Sequence, residues 1–180
     1  MKNEELSGAD LFSTWTLLHQ SYLLTYKYLD QIVSRLGISQ AQASVLLVLK
    51  GTGHPLPLSK LARYLVQEAQ SVTSLVDRLE QRGLVRRVPD QRDRRVIHVE
   101  LTEHGHETFD QIFPAAWKAC NDVFGDLSSK ELAQFASVAT KVRNRAAQLL
   151  SLDQAPFERA TETLRFSPEV FEQAAAPAGR

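Results

Sequence analysis

Between Val88 and Val96 the chain reads VPDQRDRRV, where Arg92, Arg94 and Arg95 share one short polar segment with Asp90 and Asp93. A guanidinium keeps its proton at physiological pH and offers its N–H donors in a planar fork, so arginines grouped at an exposed tip suit oxyanions, phosphate above all. From Asp77 to Arg95 seven arginines stand against four acids, a local excess of seven minus four, +3, in a chain whose formal net charge is zero. Local charge, not the total, decides what a surface attracts. Just upstream, Gln70, Ser71, Thr73 and Ser74 supply amide and hydroxyl groups that can both give and accept hydrogen bonds.

Other chemistry is poorly provided for. The chain contains no nucleophile elbow, phosphate loop or dinucleotide fingerprint, so an enzyme is not expected. His19, His54, His98, His104 and His106 have neither neighbouring cysteines nor clustered carboxylates, so no metal or other cofactor is expected. The single cysteine, Cys120, excludes an intrachain disulfide, and its neighbours Trp117, Val123 and Phe124 predict a buried, inert thiol. The apolar runs, such as VLLVL, fall far short of the roughly 20 residues that span a bilayer. The opening MKNEELSGADL lacks the layout of a signal peptide, so the expected compartment is the cytoplasm.

The elements that must hold the polar cluster follow from periodicity. Leu11, Trp15, Leu18, Tyr22, Tyr26, Leu29 and Leu36 recur at steps of three, four and seven, which predicts a long amphipathic helix over residues 10–36 ended by Gly37. A helix of that length in a chain of 180 residues implies a partner. Ser39 is placed to cap a second helix, QAQASVLLVLK, before GTGHPLP breaks the chain, and Ser59 to start a third, LSKLARYL. After the link VQEA, Val72, Leu75, Val76 and Leu79 line one face of a fourth helix that Gly83 stops. The period then changes to two on both sides of VPDQRDRRV, which predicts a β-hairpin with the arginines at its tip. Thr102 with Gly105 opens a long helix in which Pro114 should introduce a kink or a boundary, and Ser128 or Ser129 caps a last one, KELAQFASVATKVRNRAAQLL. Beyond Leu150 the pattern weakens to one short helix near Pro156 to Leu164.

Helix, tight link, helix, hairpin is a winged helix-turn-helix, here set in a mainly α fold with a small β wing. In such motifs the N-terminal half of the second helix meets base edges in the major groove. Gln70, Ser71, Thr73 and Ser74 are therefore candidates for base contact and Arg78 for phosphate; glutamine can pair in bidentate fashion with adenine. Arg86 and Arg87 occupy adjacent strand positions and face opposite ways, so one of them, taken as Arg86, is expected to meet phosphate.

Three segments, SVTSLVDRLEQRGLVRR, PDQRDRR and VELTEHG, together resemble the multiple antibiotic resistance regulator (MarR) family, and the long helices on either side extend the resemblance over residues 10–150. The resemblance implies a homodimeric, sequence-specific transcriptional regulator of double-stranded DNA, usually a repressor relieved by a small ligand, bound to a pseudo-palindromic operator. It implies dimerisation helices over 10–36 and 102–150, a DNA-binding domain over 37–101 and an extension over 151–180. It also implies that Arg94 enters the minor groove with Arg95 close behind, where a narrowed groove concentrates negative potential. Asp93 then either orients an arginine or stabilises the turn, and Arg92 is a solvated turn residue. Val66 stands where the family commonly has glycine in the helix-turn-helix link, and Glu68 takes the usual serine-type cap position. The oxidant-sensing branch carries a cysteine near the start of the first helix, which this chain lacks.

Trp15, His19, Tyr22 and Tyr26 form an aromatic stripe on the first helix. It serves either as dimer core or, through Trp15, His19 and Tyr22, as the wall of a pocket between dimer helices and DNA-binding lobe that suits an aromatic or phenolic effector. The rival to a DNA-binding regulator is a winged-helix interaction module that docks a protein chain and no DNA; a small-molecule carrier or degenerate enzyme using only the aromatic pocket is a third reading.

Overall fold

The computed structural model describes residues 7–90, 92–93 and 95–152. In chain order they form α1 (Gly8–Ser34), α2 (Gln40–Thr52), β1 (Leu56–Pro57), α3 (Leu58–Leu65), α4 (Ala69–Gln81), β2 (Val85–Pro89), β3 (Ile97–Leu101), α5 (Glu103–Phe124) and α6 (Ser129–Leu149). The short helix expected near Pro156 to Leu164 lies outside the described residues.

Local chemistry explains most boundaries. Ser7 accepts from the Asp10 N–H to begin α1, and Gly37, at φ +75°, turns the chain out of it. Ser39 and Gln42 form a reciprocal capping box at α2, and Ser128 and Glu131 repeat it at α6, which settles the choice between Ser128 and Ser129. Thr102 caps α5 by accepting from the Gly105 N–H.

Three expectations need correction. Ser59 does not start α3: the helix leaves β1 directly, with Pro57 at the cap position and no side-chain cap, so Ser59 already lies inside it. Pro114 marks no boundary, because α5 runs unbroken through it; the one backbone bond that proline forfeits is outweighed by the packing of α5 on α1 and α2. The hairpin is also not alone. Leu56 and Pro57 pair antiparallel with Val99 and His98, making a three-stranded sheet in the order β1-β3-β2.

A single core joins all of this. Val45, Leu46 and Leu49 of α2, Leu61 of α3, Val72, Val76 and Leu79 of α4 and Val99 of β3 cluster with Val33 of α1 and with Phe109, Ile112 and Phe113 of α5. The seam at the start of α5 is especially close. A Cβ at Gly105 would lie 2.0 Å from the Leu84 carbonyl oxygen, which accepts from the Thr102 N–H at 3.1 Å, while the Thr102 hydroxyl donates to Gly83 O at 2.6 Å. By contrast, Phe12, Trp15, Tyr22 and Leu24 of α1 and Phe135, Val138 and Leu149 of α6 stand exposed.

Candidate DNA interface

Helix α4 presents the polar face that the sequence predicts. Val72, Val76 and Leu79 are buried, whereas Gln70, Ser71, Ser74 and Arg78 are exposed. Thr73 is half-buried and its hydroxyl donates to Ala69 O at 2.8 Å; the Ser74 hydroxyl donates to Gln70 O at 3.2 Å. With their hydrogens returned to the helix, both oxygens are left as acceptors. Ser71, Ser74 and Arg78 line an open depression of about 320 Å³ together with Ala41 and Gln67. Gln67 was not among the sequence candidates. Its only signal is its place in the turn, one residue before the Glu68 cap.

That turn is built without glycine. Val66 adopts φ 52°, ψ 44°, and the N–H groups of Val66 and Gln67 close onto Arg63 O and Ala62 O. The link is thus as tight as a glycine would make it, but with a β-branched residue in the left-handed region, at a cost of about 1–2 kcal/mol. Glu68 occupies the α4 cap position with no side-chain cap hydrogen bond; its charge still suits the helix N-terminus.

The wing is ordered by its carboxylates. Asp90 Oδ1 accepts from the N–H groups of Arg92 and Asp93 at 2.7 and 2.9 Å, and these bonds hold its pKa below the ordinary carboxylate value. Asp93 takes the Arg95 guanidinium in a two-pronged pair at 3.0 and 3.1 Å and also accepts from the Arg95 N–H, and its pKa is lowered by that side-chain bond first. Asp93 therefore performs both expected tasks: it shapes the turn and orients an arginine. The Arg95 side chain remains 91% exposed, so the pair is a weak one that a phosphate can displace. Arg92 is exposed at the turn. Arg94 lies outside the described residues.

On the strands, the two neighbouring arginines part company as alternation requires. Arg86, 68% exposed, pairs with Glu100 across the hairpin. Arg87, only 25% exposed, turns the other way and forks to Asp77 and Glu80 of α4. Burial pulls its pKa down, and the hydrogen bonds and charges of Asp77 and Glu80 outweigh that and leave it raised.

Away from this surface, two apolar cavities flank α5. One of about 200 Å³ lies against α1, between Tyr28, Leu29, Ala116 and Cys120; the other, about 70 Å³, lies where α1, α2 and α5 meet, between Val33, Leu46, Leu47 and Phe113. Trp15, His19 and Tyr22 line neither; they lie on the exposed N-terminal part of α1, where the Tyr22 and Tyr26 rings are 5.9 Å apart. Cys120 corrects its expectation. It is exposed at the lip of the larger cavity, because α5 turns Ala119 inward instead, and partial burial pushes its thiol pKa up. Among the described residues no cluster of three histidine, cysteine or carboxylate groups could hold a metal, and no helix is long and apolar enough to cross a membrane.

Comparison with known proteins bears on this arrangement directly. Residues 36–96 match the model of the MarR family. The transcriptional repressor MdtR of Bacillus subtilis is 32% identical over 110 residues, covering 61% of this chain and 70% of MdtR. A mutant MarR from E.coli complexed with operator DNA superposes with a TM-score of 0.68 at 24% identity, covering 74% of this chain and 95% of that one. Bordetella bronchiseptica BpsR, whose DNA binding is regulated by 6-hydroxynicotinic acid, superposes with a TM-score of 0.67 at 24% identity over 73% of this chain and 98% of its own. A winged helix-turn-helix between long terminal helices, a polar recognition face and an arginine-tipped hairpin thus coincide with these likenesses, and the chain belongs to the MarR family of DNA-binding transcriptional regulators, not to a family of enzymes.

Proposed function

We propose that the chain acts as a homodimeric repressor in the cytoplasm, binding a pseudo-palindromic operator through two recognition helices and two wings and leaving it when a small aromatic or phenolic effector binds. The observation that carries the dimer is the uncovered apolar surface of α1 and α6. Phe12, Trp15, Tyr22 and Leu24 of α1 and Phe135, Val138 and Leu149 of α6 are each at least half exposed, Trp15 at 67%. An apolar surface of that kind marks an interface, and a second copy, presenting the same long helices, is the partner proposed for it. In this reading residues 10–36 and 102–150 form the dimer domain, 37–101 the DNA-binding lobe and 151–180 an extension. Trp15, His19 and Tyr22 lie at the junction between copies, so any pocket they line is completed by the partner.

Gln70, Ser71, Thr73 and Ser74 then read bases, with Arg78 and Arg86 on phosphate and Arg94 and Arg95 in the minor groove. MdtR is a repressor, which supports the sign of regulation. The ligand control of BpsR supports an effector. With four DNA-facing arginines per protomer, about eight per dimer, neutralising DNA charge, operator affinity should fall by up to about 10⁴-fold between 50 and 200 mM salt. A gel shift with the duplex upstream of the protein's own coding region, read at both salt concentrations, tests this. Binding that ignores salt, or a monomeric protein by sedimentation, overturns it.

A further inference from the structure

Arg87 has no part in the contacts proposed so far, yet it is the most thoroughly engaged side chain of the wing. One terminal nitrogen donates to Asp77 Oδ1 at 2.6 Å and the other to Glu80, whose second oxygen accepts from the Arg87 backbone N–H at 3.0 Å. Asp77 and Glu80 belong to α4 and Arg87 to β2, so the fork ties the recognition helix to the wing. Asp77 also shares a helix face with Gln70, Ser74 and Gln81, the side proposed to face DNA. Two acids near a phosphate surface weaken binding unless they are put to another use.

We infer that Arg87 is a positioning residue for operator recognition: its fork fixes the angle between α4 and the hairpin, so that helix and wing enter their grooves as one rigid unit. The inference rests on the reading that both elements touch DNA. When two contacts are held at a fixed separation, the first makes the second intramolecular; when the link is loose, the effective concentration of the second falls and affinity falls with it. Unspecific contacts to phosphate need no such registration. A lysine at this position keeps the charge but, as a point charge, cannot hold two carboxylates in one plane.

The test uses the full-length protein, a duplex selected by the wild-type chain from a randomised pool, and an unrelated duplex of equal length, with binding read by fluorescence anisotropy at one salt concentration. Arg87→Lys is expected to bind the selected duplex about tenfold or more weakly while its affinity for the unrelated duplex changes less than about twofold, because the net charge is kept. The double variant Asp77→Asn with Glu80→Gln makes the surface more positive, so it should bind unrelated duplex more tightly and still lose its preference for the selected one. Thermal unfolding of each variant shows that it is folded at the assay temperature; should Arg87→Lys not be, the double variant, altered on the exposed side of α4, decides. Arg87→Lys with wild-type preference, or a double variant whose two affinities rise in parallel, overturns the inference. A wild-type chain that selects no sequence defeats the helix-and-wing reading itself, and this inference with it.

Discussion

Gly105→Ala sets two physical effects against each other. Alanine in place of glycine inside a helix is worth up to about 1 kcal/mol in favour of the folded state. Here, however, the added methyl would lie 2.0 Å from the Leu84 carbonyl oxygen and 3.0 Å from its carbon, both backbone atoms that no rotamer change can move. Carbon–oxygen contact begins near 3.3 Å, so the start of α5 must retreat from Leu84 by about 1.3 Å. That retreat breaks the Thr102 hydroxyl bond to Gly83 O, 2.6 Å, and stretches the Thr102 N–H bond to Leu84 O, 3.1 Å. Two hydrogen bonds at about 1 kcal/mol each and an overpacking cost of about 1–3 kcal/mol outweigh the helical gain, leaving a loss near 3 kcal/mol. For 180 residues at about 2.1 cal/mol/K per residue, the midpoint should drop by about 8 °C. Circular dichroism at 222 nm during heating, at one fixed protomer concentration because dimerisation contributes to stability, measures it. A midpoint that rises would show that propensity wins and that the seam between α5 and the lobe is soft.

Val66→Gly should move the midpoint the other way, by about +2 °C, since relief of the left-handed valine exceeds the entropy cost of glycine by about 0.5–1 kcal/mol; a fall would mean that Val66 is unstrained. Trp15→Asp places a charge on the proposed dimer face and should weaken self-association at least about a hundredfold by sedimentation equilibrium, with helicity unchanged. Arg95→Ala should cost operator binding about 1–3 kcal/mol and reduce the salt slope by about two per dimer, while the midpoint barely moves because its pair with Asp93 is exposed. Cys120→Ser should leave DNA binding and its response to peroxide at wild-type levels, and iodoacetamide should label Cys120 slowly at pH 7.5, because a raised pKa leaves little thiolate below the ordinary thiol range.

The parts of the fold that sequence reveals are those that carry their own local signal. The helices announce themselves by apolar steps of three and four, and Ser39, Thr102 and Ser128 mark their starts by chemistry confined to one turn. β1 was invisible because two residues have no period; its pairing with β3 depends on a fold that brings Leu56 to Val99. Ser59 misled for the same reason: a capping residue type identifies a cap only if the chain enters the helix there, and the strand set that point at Pro57. Around Cys120 the sequence neighbours are apolar, but periodicity does not say which side of α5 meets α1. The site divides likewise. Alternation showed that Arg86 and Arg87 diverge, whereas only the packing of β2 beside α4 shows that Arg87 takes both acids.

The same packing limits how such a chain can be regulated. A lobe on a flexible linker could swing freely, but α2 is bound at both ends to the long helices: the Gln40 N–H donates to Asp30 of α1 at 2.9 Å, and Lys50 pairs with Asp110 of α5 at 2.9 Å and lies over the Phe109 ring. Between these ties, Val33, Phe109, Ile112 and Phe113 share one core with the helices that carry the recognition face. Close-packed interiors move as units and switch between discrete arrangements instead of bending gradually. In the proposed dimer, the places left for a change in the distance between the two α4 helices are the contact between copies and the cavity where α1, α2 and α5 converge. Under the proposed homodimer, a change at that junction would bear on α1, α2 and α5 together, and half-site spacing is the quantity through which it would reach DNA.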